Sequence, residues 1–126
     1  MRIFRAAVLI SWLLVMWISV HAVTALGFNQ AGATFFADFG HPWRAQFDGD
    51  FAAHLLLMAC WIVYREKNLL LGVLLGSAAV MFGGAFSLAY IFVATFTARG
   101  SFKGLLIGYR ATEESTPYSV DQSKQF

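Results

Sequence analysis

The chain has 126 residues, of which 59% are apolar, 17% aromatic and 13% charged, with a net charge of +2. A water-soluble domain is typically about 45–50% apolar and about 25% charged, so this composition excludes an ordinary soluble globule and predicts a protein that is surrounded by lipid. The scattered basic residues do not indicate a nucleic-acid partner, and the single cysteine, Cys60, excludes an intramolecular disulfide and a multi-cysteine metal site.

Three apolar runs predict an all-α integral membrane protein with three transmembrane helices, at residues 6–26, 47–65 and 69–97. The first run follows Arg2 and Arg5 and is long enough to cross a hydrocarbon core of about 30 Å. A cleaved secretory signal is the alternative, but the run is longer than the apolar core of a signal peptide, so we expect a retained helix. Residues 1–98 then form the three-helix transmembrane domain, and residues 99–126 form a polar C-terminal tail that we expect to be extended or bound to a partner.

The segment between the first two runs is rich in phenylalanine and glycine. We expect residues 28–39 to form either a short interfacial helix, whose phenylalanines dip into the headgroup region, or an ordinary loop. The second run reaches membrane length only when it is extended back to Phe47, which places Asp48 where it can cap the helix. Arg65 and Lys67 lie at the far end of the run, where cations complement the helix dipole.

The third run is longer than the bilayer is thick if it forms one helix. Gly83 and Gly84 can kink it, but two crossings of about 14 residues each are too short, so we expect a single tilted helix. Small residues follow one face of that helix and let another helix approach closely. This small-residue strip consists of Gly72, Gly76, Ala79, Gly83 and Ser87. We expect it to pack against an earlier helix of the same chain or against a neighbouring protein.

Positive charges near the membrane predict the orientation of the chain. With three spans, four basic residues lie on the N-terminal side and three lie on the other: Arg2, Arg5, Arg65 and Lys67 against Arg44, Arg99 and Lys103. The first helix usually dominates orientation. We therefore expect a multi-pass protein of the bacterial inner membrane with a cytoplasmic N-terminus and an outward-facing tail.

One group of ionisable residues lies near the point where the first two predicted spans meet. Ionisable groups at membrane depth are costly and are candidates for function by default. This loop cluster consists of His21, Asp38, His41, Arg44, Asp48, Asp50 and His54. We expect His21 and His54 to lie at a similar shallow depth, because both helix ends meet the same connecting segment.

Several interpretations of the loop cluster stay open. In a structural network, Arg44 pairs with Asp48 or Asp50, His54 bonds Asp50, and His21 bonds a backbone carbonyl. In a ligand or headgroup pocket, Arg44 meets a phosphate or carboxylate. His21 and His54 can also ligate a metal or haem, and the His and Asp groups can relay protons or act as acid and base. No motif of a known enzyme class is present, so we expect a non-enzymatic protein, assign no metal or catalytic residue, and keep haem or pigment only as a hypothesis.

The second span is preceded by a short polar and aromatic loop, has Asp50 near its start, and ends in Trp-Ile-Val-Tyr-Arg-Glu at residues 61–66. A glycine-containing third span follows. In these features, over residues 5–98, the chain resembles a family of small three-span bacterial membrane proteins with no assigned reaction. The resemblance implies the three-span topology and implies no catalytic residue or cofactor.

The sequence favours a small accessory subunit that packs against a larger respiratory, photosynthetic or transport complex. The small-residue strip, the 13 phenylalanines and the polar tail all indicate membrane lipids and other membrane protein subunits as partners. The alternative is a membrane-embedded binder or enzyme for a lipid, quinone, isoprenoid or haem that uses the loop cluster. A transporter or channel ranks third, because three helices need an oligomer to enclose a pore.

Overall fold

The part of the chain that the structure describes is mostly helical. The structure is a computed structural model and describes residues 1–98 and 100–111. Within those ranges there is no strand, and the helices are α1 (Arg2–Leu26), α2 (Gln30–Asp38), α3 (Pro42–Arg65), α4 (Leu69–Phe82), α5 (Gly84–Thr97) and α6 (Phe102–Ile107). Most of the predicted tail, residues 112–126, lies outside the described residues.

Two helices, α1 and α3, are long and apolar enough to cross a membrane. They have 25 and 24 residues, which correspond to about 38 and 36 Å. Only 6% of the most apolar window of each helix is buried. A core helix of a water-soluble protein hides its apolar stripe against other elements. Both helices therefore lack the protein cover that such a core would provide.

Helix α2 shows that the segment between the first two runs is helical rather than an ordinary loop. Helix α3 then begins at Pro42, earlier than the predicted start at Phe47. Proline is favoured at the first helical position, because its missing N–H has no intrahelical partner there and its fixed φ suits the helix. His41 is the N-cap residue, so the prediction that Asp48 caps the helix is wrong.

The third apolar run forms two helices, so the prediction of one continuous tilted helix is wrong. Helix α4 ends at Phe82, and α5 begins two residues later. Gly83 joins them with a φ of 56° and a ψ of −137°, a backbone conformation that residues with a Cβ avoid. The sequence analysis rejected two short helices because neither can cross a bilayer alone, but a hairpin that turns back does not need to cross it.

The open end of this hairpin lies beside the end of α3. In the first turn of α4, a Cβ added to Gly72 would come within 3.0 Å of the Cα of Val63. At the end of α5, the Oγ1 of Thr97 accepts a hydrogen bond from Arg65 Nη2 at 2.9 Å. Because α4 starts and α5 ends beside the same turn of α3, the two helices run antiparallel.

The closed end of the hairpin lies beside the middle of α1. A Cβ added to Gly84 would sit 3.6 Å from a methyl carbon of Val15. Helix α5 then runs back along α1, where Trp12 Nε1 donates to the carbonyl of Ala85 at 2.8 Å. In the described part of the chain, α4 packs along α3 and α5 along α1, whereas α1 and α3 do not pack along each other. The hairpin therefore separates the two long helices.

The small-residue strip packs inside the chain. Gly72, Gly76 and Ala79 on α4 are buried, as is Ser87 on α5. A Cβ added to Gly76 would sit 3.2 Å from the carbonyl oxygen of Ala59, so a larger residue does not fit unless α3 moves. The sequence allowed an earlier helix of the same chain or a neighbouring protein as the partner of this strip. The glycines of α4 pack against α3 of the same chain.

Replacing Gly72 with leucine is expected to destabilise the protein, because the backbone of Val63 occupies the space that the new side chain needs. Overpacking of this kind costs about 1–3 kcal/mol. Ser77→Leu is the matched control, since Ser77 is exposed on the same helix. Unfolding by dodecyl sulfate in mixed micelles measures both variants, and equal midpoints would contradict the close packing of α4 on α3.

The predicted extended tail contains a short helix, so that prediction is wrong over Phe102–Ile107. The Ser101 hydroxyl caps the helix by accepting a hydrogen bond from the Gly104 N–H at 3.4 Å. Leu105 is only 4% exposed and belongs to a small core with Ala98. The apolar residues of this segment therefore pack on the end of α5 and order the backbone around them.

Candidate functional site

The loop cluster of the sequence analysis divides into separate local pairs. Arg44 Nη1 lies 3.1 Å from Asp38 Oδ1, with side chains 66% and 27% exposed, and this pair links α2 to α3. The predicted partners of Arg44 were Asp48 and Asp50. Arg44 instead pairs with Asp38, which lies on the other side of the turn between α2 and α3. Asp48 Oδ2 is buried and has no hydrogen-bond partner among the described residues.

His21 and His54 each contact a residue of their own helix. His54 Nδ1 lies 2.7 Å from the Asp50 carbonyl oxygen and 3.7 Å from a carboxylate oxygen of the same residue, so its hydrogen bond is to the backbone of Asp50 rather than to its side chain. The His21 ring stacks on Trp17, one turn earlier in α1. His21 lies near the end of α1, whereas His54 lies half-way along α3, so the prediction that the two share a shallow position near their helix ends is wrong. No group of three or more His, Cys, Asp or Glu side chains in the described residues is arranged to hold a metal ion.

A second polar site lies at the other end of the bundle, around Arg65, which is 9% exposed. Its Nε donates to the carbonyl of Leu105 at 2.9 Å, and Nη1 donates to the Tyr90 hydroxyl at 3.1 Å. Nη2 donates to Thr97 Oγ1 at 2.9 Å and to the carbonyl of Ala94 at 3.5 Å. Every guanidinium nitrogen therefore has a protein acceptor, and Arg65 ties α3 to α5 and α6.

Glu66 balances the charge of this Arg65 network. The Tyr90 hydroxyl donates to Glu66 Oε1 at 2.5 Å, and Arg65 Nη1 lies 3.6 Å from the same oxygen. The hydroxyl thus accepts from the guanidinium and donates to the carboxylate. Planar guanidinium groups suit such multiple, directional bonding better than lysine does. The donors and acceptors of the network satisfy one another, which is typical of a structural role. We call this group of hydrogen bonds, which holds α3, α5 and α6 together, the Arg65 clamp.

The chain that follows α5 covers the Arg65 network. Trp61 Nε1 donates to the carbonyl of Leu106 at 2.9 Å. Gly108 has a φ of 58°, and a Cβ there would lie 2.6 Å from the carbonyl oxygen of Arg65, so only glycine fits. A cavity of about 360 Å³ remains beside the network, lined by Arg65, Glu66, Lys67, Thr97, Gly104, Gly108 and Tyr109.

A second arginine attaches α1 to the same hairpin. Arg5 Nε donates to Thr95 Oγ1 at 2.9 Å, and Nη2 donates to the carbonyl of Thr95 at 2.7 Å. The guanidinium carbon of Arg5 lies 4.3 Å from the centroid of the Phe96 ring. Thr95 is fully buried. The two long helices are therefore fastened to α5 by arginines at the same end of the bundle.

The sequence analysis did not identify either arginine site. It assigned Arg65 to the helix dipole, and one straight helix would place Thr97 about 40 Å from the start of α4. The available signal was the group of hydroxyl side chains near the end of the third apolar run, Tyr90, Thr95 and Thr97. Such groups in an apolar run need hydrogen-bond partners, and the arginines at the helix ends can supply them.

No family model, curated protein or solved structure matches the chain. The resemblance to a three-span family therefore stays a prediction, and the function is inferred from the geometry of the chain itself.

Proposed function

We propose that the chain is an integral membrane protein in which α1 and α3 cross the bilayer and the α4–α5 hairpin enters and leaves on one side. Each arm of the hairpin has 14 residues and rises about 21 Å, less than a hydrocarbon core of about 30 Å. The scarcity of buried surface on α1 and α3 supports lipid as their surroundings. The bonds of α1 to α5 support a retained α1 rather than a cleaved signal.

The distribution of charge supports an orientation with a cytoplasmic N-terminus. Because the hairpin returns the chain to its starting end, Lys103 lies beside the N-terminus of α1, where Phe102 contacts Phe4. Among the described residues, Arg44 is at the opposite end of the bundle. The end that holds the N-terminus of α1, here called the basic end, carries the other six cations, which are Arg2, Arg5, Arg65, Lys67, Lys103 and Arg110. The positive-inside rule favours the cytoplasm for such an end, which fits a bacterial inner membrane.

Labelling from one side of the membrane tests this topology. In a Cys60→Ala chain, we expect the thiols of Lys67→Cys and Lys103→Cys to react with an impermeant maleimide from the same side. The thiol of Gly40→Cys should react only from the opposite side. A third crossing helix would instead place position 103 on the same side as position 40, so joint labelling of those two positions would contradict the hairpin.

We propose that this membrane protein is a small accessory subunit that packs against a larger membrane complex. The observation that carries this proposal is the position of His54. It lies about 18 Å from the start of α3, half-way along the helix, and its side chain is 70% exposed. Asp50, one turn away, is 61% exposed. Ionisable side chains at membrane depth rarely face lipid, so this face of α3 is suited to a polar partner on another protein.

Native electrophoresis of the gently extracted protein tests the proposed complex. We expect the wild-type chain to migrate well above its monomer mass of 14.0 kDa and His54→Leu to release it as a monomer. Leu74→Ala is the control, since Leu74 is exposed on α4, away from this face. Monomeric wild-type protein with nothing attached would contradict the proposal.

A membrane-embedded binder of a lipid, quinone, isoprenoid or haem is the second proposal, and His54 also favours it. When Nδ1–H donates to the Asp50 carbonyl, the lone pair of Nε2 points away from the helix and can accept a hydrogen bond or ligate a metal. A visible absorption spectrum of the extracted protein separates the two roles. A haem band that His54→Leu removes would favour the binder.

A further inference from the structure

An apolar groove runs along the outer face of α3 and α4. It has a volume of about 500 Å³, and all of its lining residues belong to α3 and α4. The groove is deep because small residues line its base, including Ala59, Gly76 and Ser77. Leu56 and Val80 form the end that lies nearer the middle of the bundle. Under the proposed topology this groove faces lipid.

The groove has the length and direction of an acyl chain in one leaflet. From Leu56 to Tyr64 it follows α3 for about 12 Å, close to half of a hydrocarbon core of about 30 Å. It begins near the middle of the bundle and ends at the basic end, where α3 finishes. An occupant that lies in the groove would therefore present its other end to the cytoplasmic surface.

A cation stands at the outer end of the groove. The guanidinium carbon of Arg110 lies 4.4 Å from the centroid of the Tyr64 ring, and Tyr64 lines the groove. Arg110 is itself exposed. The aromatic ring orients the guanidinium at the level where a headgroup phosphate would lie, and arginine is suited to bidentate binding of phosphate.

We propose that the groove binds an anionic phospholipid, with one acyl chain between α3 and α4 and the phosphate against Arg110. The apolar lining selects a hydrocarbon chain, and the cation at its mouth selects a negatively charged headgroup over a zwitterionic one. This proposal rests on the membrane location proposed above, but not on the accessory role.

Native mass spectrometry with equimolar phosphatidylglycerol and phosphatidylcholine tests the site. We expect the wild-type protein to retain phosphatidylglycerol preferentially. Arg110→Gln should lower that preference about fivefold, the effect of one cation near an anionic headgroup. Arg2→Gln is the matched control, because it removes the same charge at the same end of the bundle, away from the groove, and should leave the preference unchanged.

Two further variants test the acyl-chain part of the site. Ser77→Phe and Cys60→Phe place a large ring in the groove from exposed positions, so both should fold and both should retain less of either lipid. Equal retention of the two lipids by the wild-type protein would overturn the proposal. Equal losses in Arg2→Gln and Arg110→Gln, or unchanged retention in both phenylalanine variants, would also overturn it. Membrane fractionation separates the causes, since a chain absent from membranes contradicts the proposed location, whereas a membrane-bound chain without lipid preference contradicts only this site.

Discussion

Arg65→Leu is expected to lower the free energy of unfolding by about 3–5 kcal/mol, because removing one member of a buried ion pair leaves the other charge uncompensated. Glu66 would lose its counter-ion, and the carbonyl of Leu105 and the hydroxyl of Thr97 would lose their donors. Unfolding by dodecyl sulfate in mixed micelles measures the change. Helix α6 should become less ordered at the same time, because Arg65 donates one of the hydrogen bonds that hold it, the bond to the carbonyl of Leu105.

Three further variants separate charge from geometry in this prediction. Lys67→Leu removes an exposed cation two residues away and should change stability by less than about 0.5 kcal/mol. Arg65→Lys keeps the charge but loses the planar guanidinium with its several hydrogen-bond donors, so we expect an intermediate decrease in the free energy of unfolding. Adding Glu66→Gln to Arg65→Leu should restore part of the loss, because the unpaired carboxylate is gone. If Arg65→Leu were no more destabilising than Lys67→Leu, the clamp would have no energetic role.

The second large effect is expected at the closed end of the hairpin. Replacing both Gly83 and Gly84 with alanine should favour one straight helix. At position 83, alanine is better than glycine inside a helix by about 1 kcal/mol, whereas Gly84 is helical in either arrangement and adds little to the difference. Alanine at the positive φ of Gly83 adds a cost of about 1–2 kcal/mol to the hairpin. The total, about 2–3 kcal/mol, is of the same order as the stabilisation that Arg65 provides.

Because the cost of the alanine pair to the hairpin is similar to the stabilisation from Arg65, the alanine pair alone is expected to give a mixture of the hairpin and the straight helix. Adding Arg65→Leu to the pair should move position 103 to the opposite side of the membrane in most molecules. Maleimide labelling of Lys103→Cys in a Cys60→Ala chain reports the change. Gly84→Ala alone is the control, since the φ of Gly84 is not positive, and it should keep the wild-type sidedness. Unchanged labelling in the combined variant would show that other contacts hold the hairpin.

Local features of the fold were predictable from the sequence. The apolar run after Arg5 predicted α1, and the i, i+4 spacing of Asp50 and His54 predicted their contact, because both depend only on helical geometry. The start of α3 could also have been predicted from the sequence, because proline is favoured at the first position of a helix and α3 begins at Pro42. Extending the span back only to Phe47 overlooked this local signal.

The hairpin and its arginine clamps could not be derived in the same way. The glycine pair marks a point where the chain can turn, but whether it turns depends on contacts between residues far apart in the sequence, such as Arg65 with Thr97 and Arg5 with Thr95. Arg44 illustrates the same limit, since its partner depends on the angle between α2 and α3. Pairing across a turn requires tertiary geometry that a hydrophobic pattern does not encode.

The return of the hairpin to its starting end also affects how the chain is made. Under the proposed topology, the only connecting stretch that must be translocated during synthesis is residues 27–41, between α1 and α3. That stretch carries a single charged side chain, Asp38. Lys67, Lys103 and Arg110, which follow α3, stay on the ribosome's side of the bilayer, so Arg44 is the one described cation that has to cross the hydrocarbon.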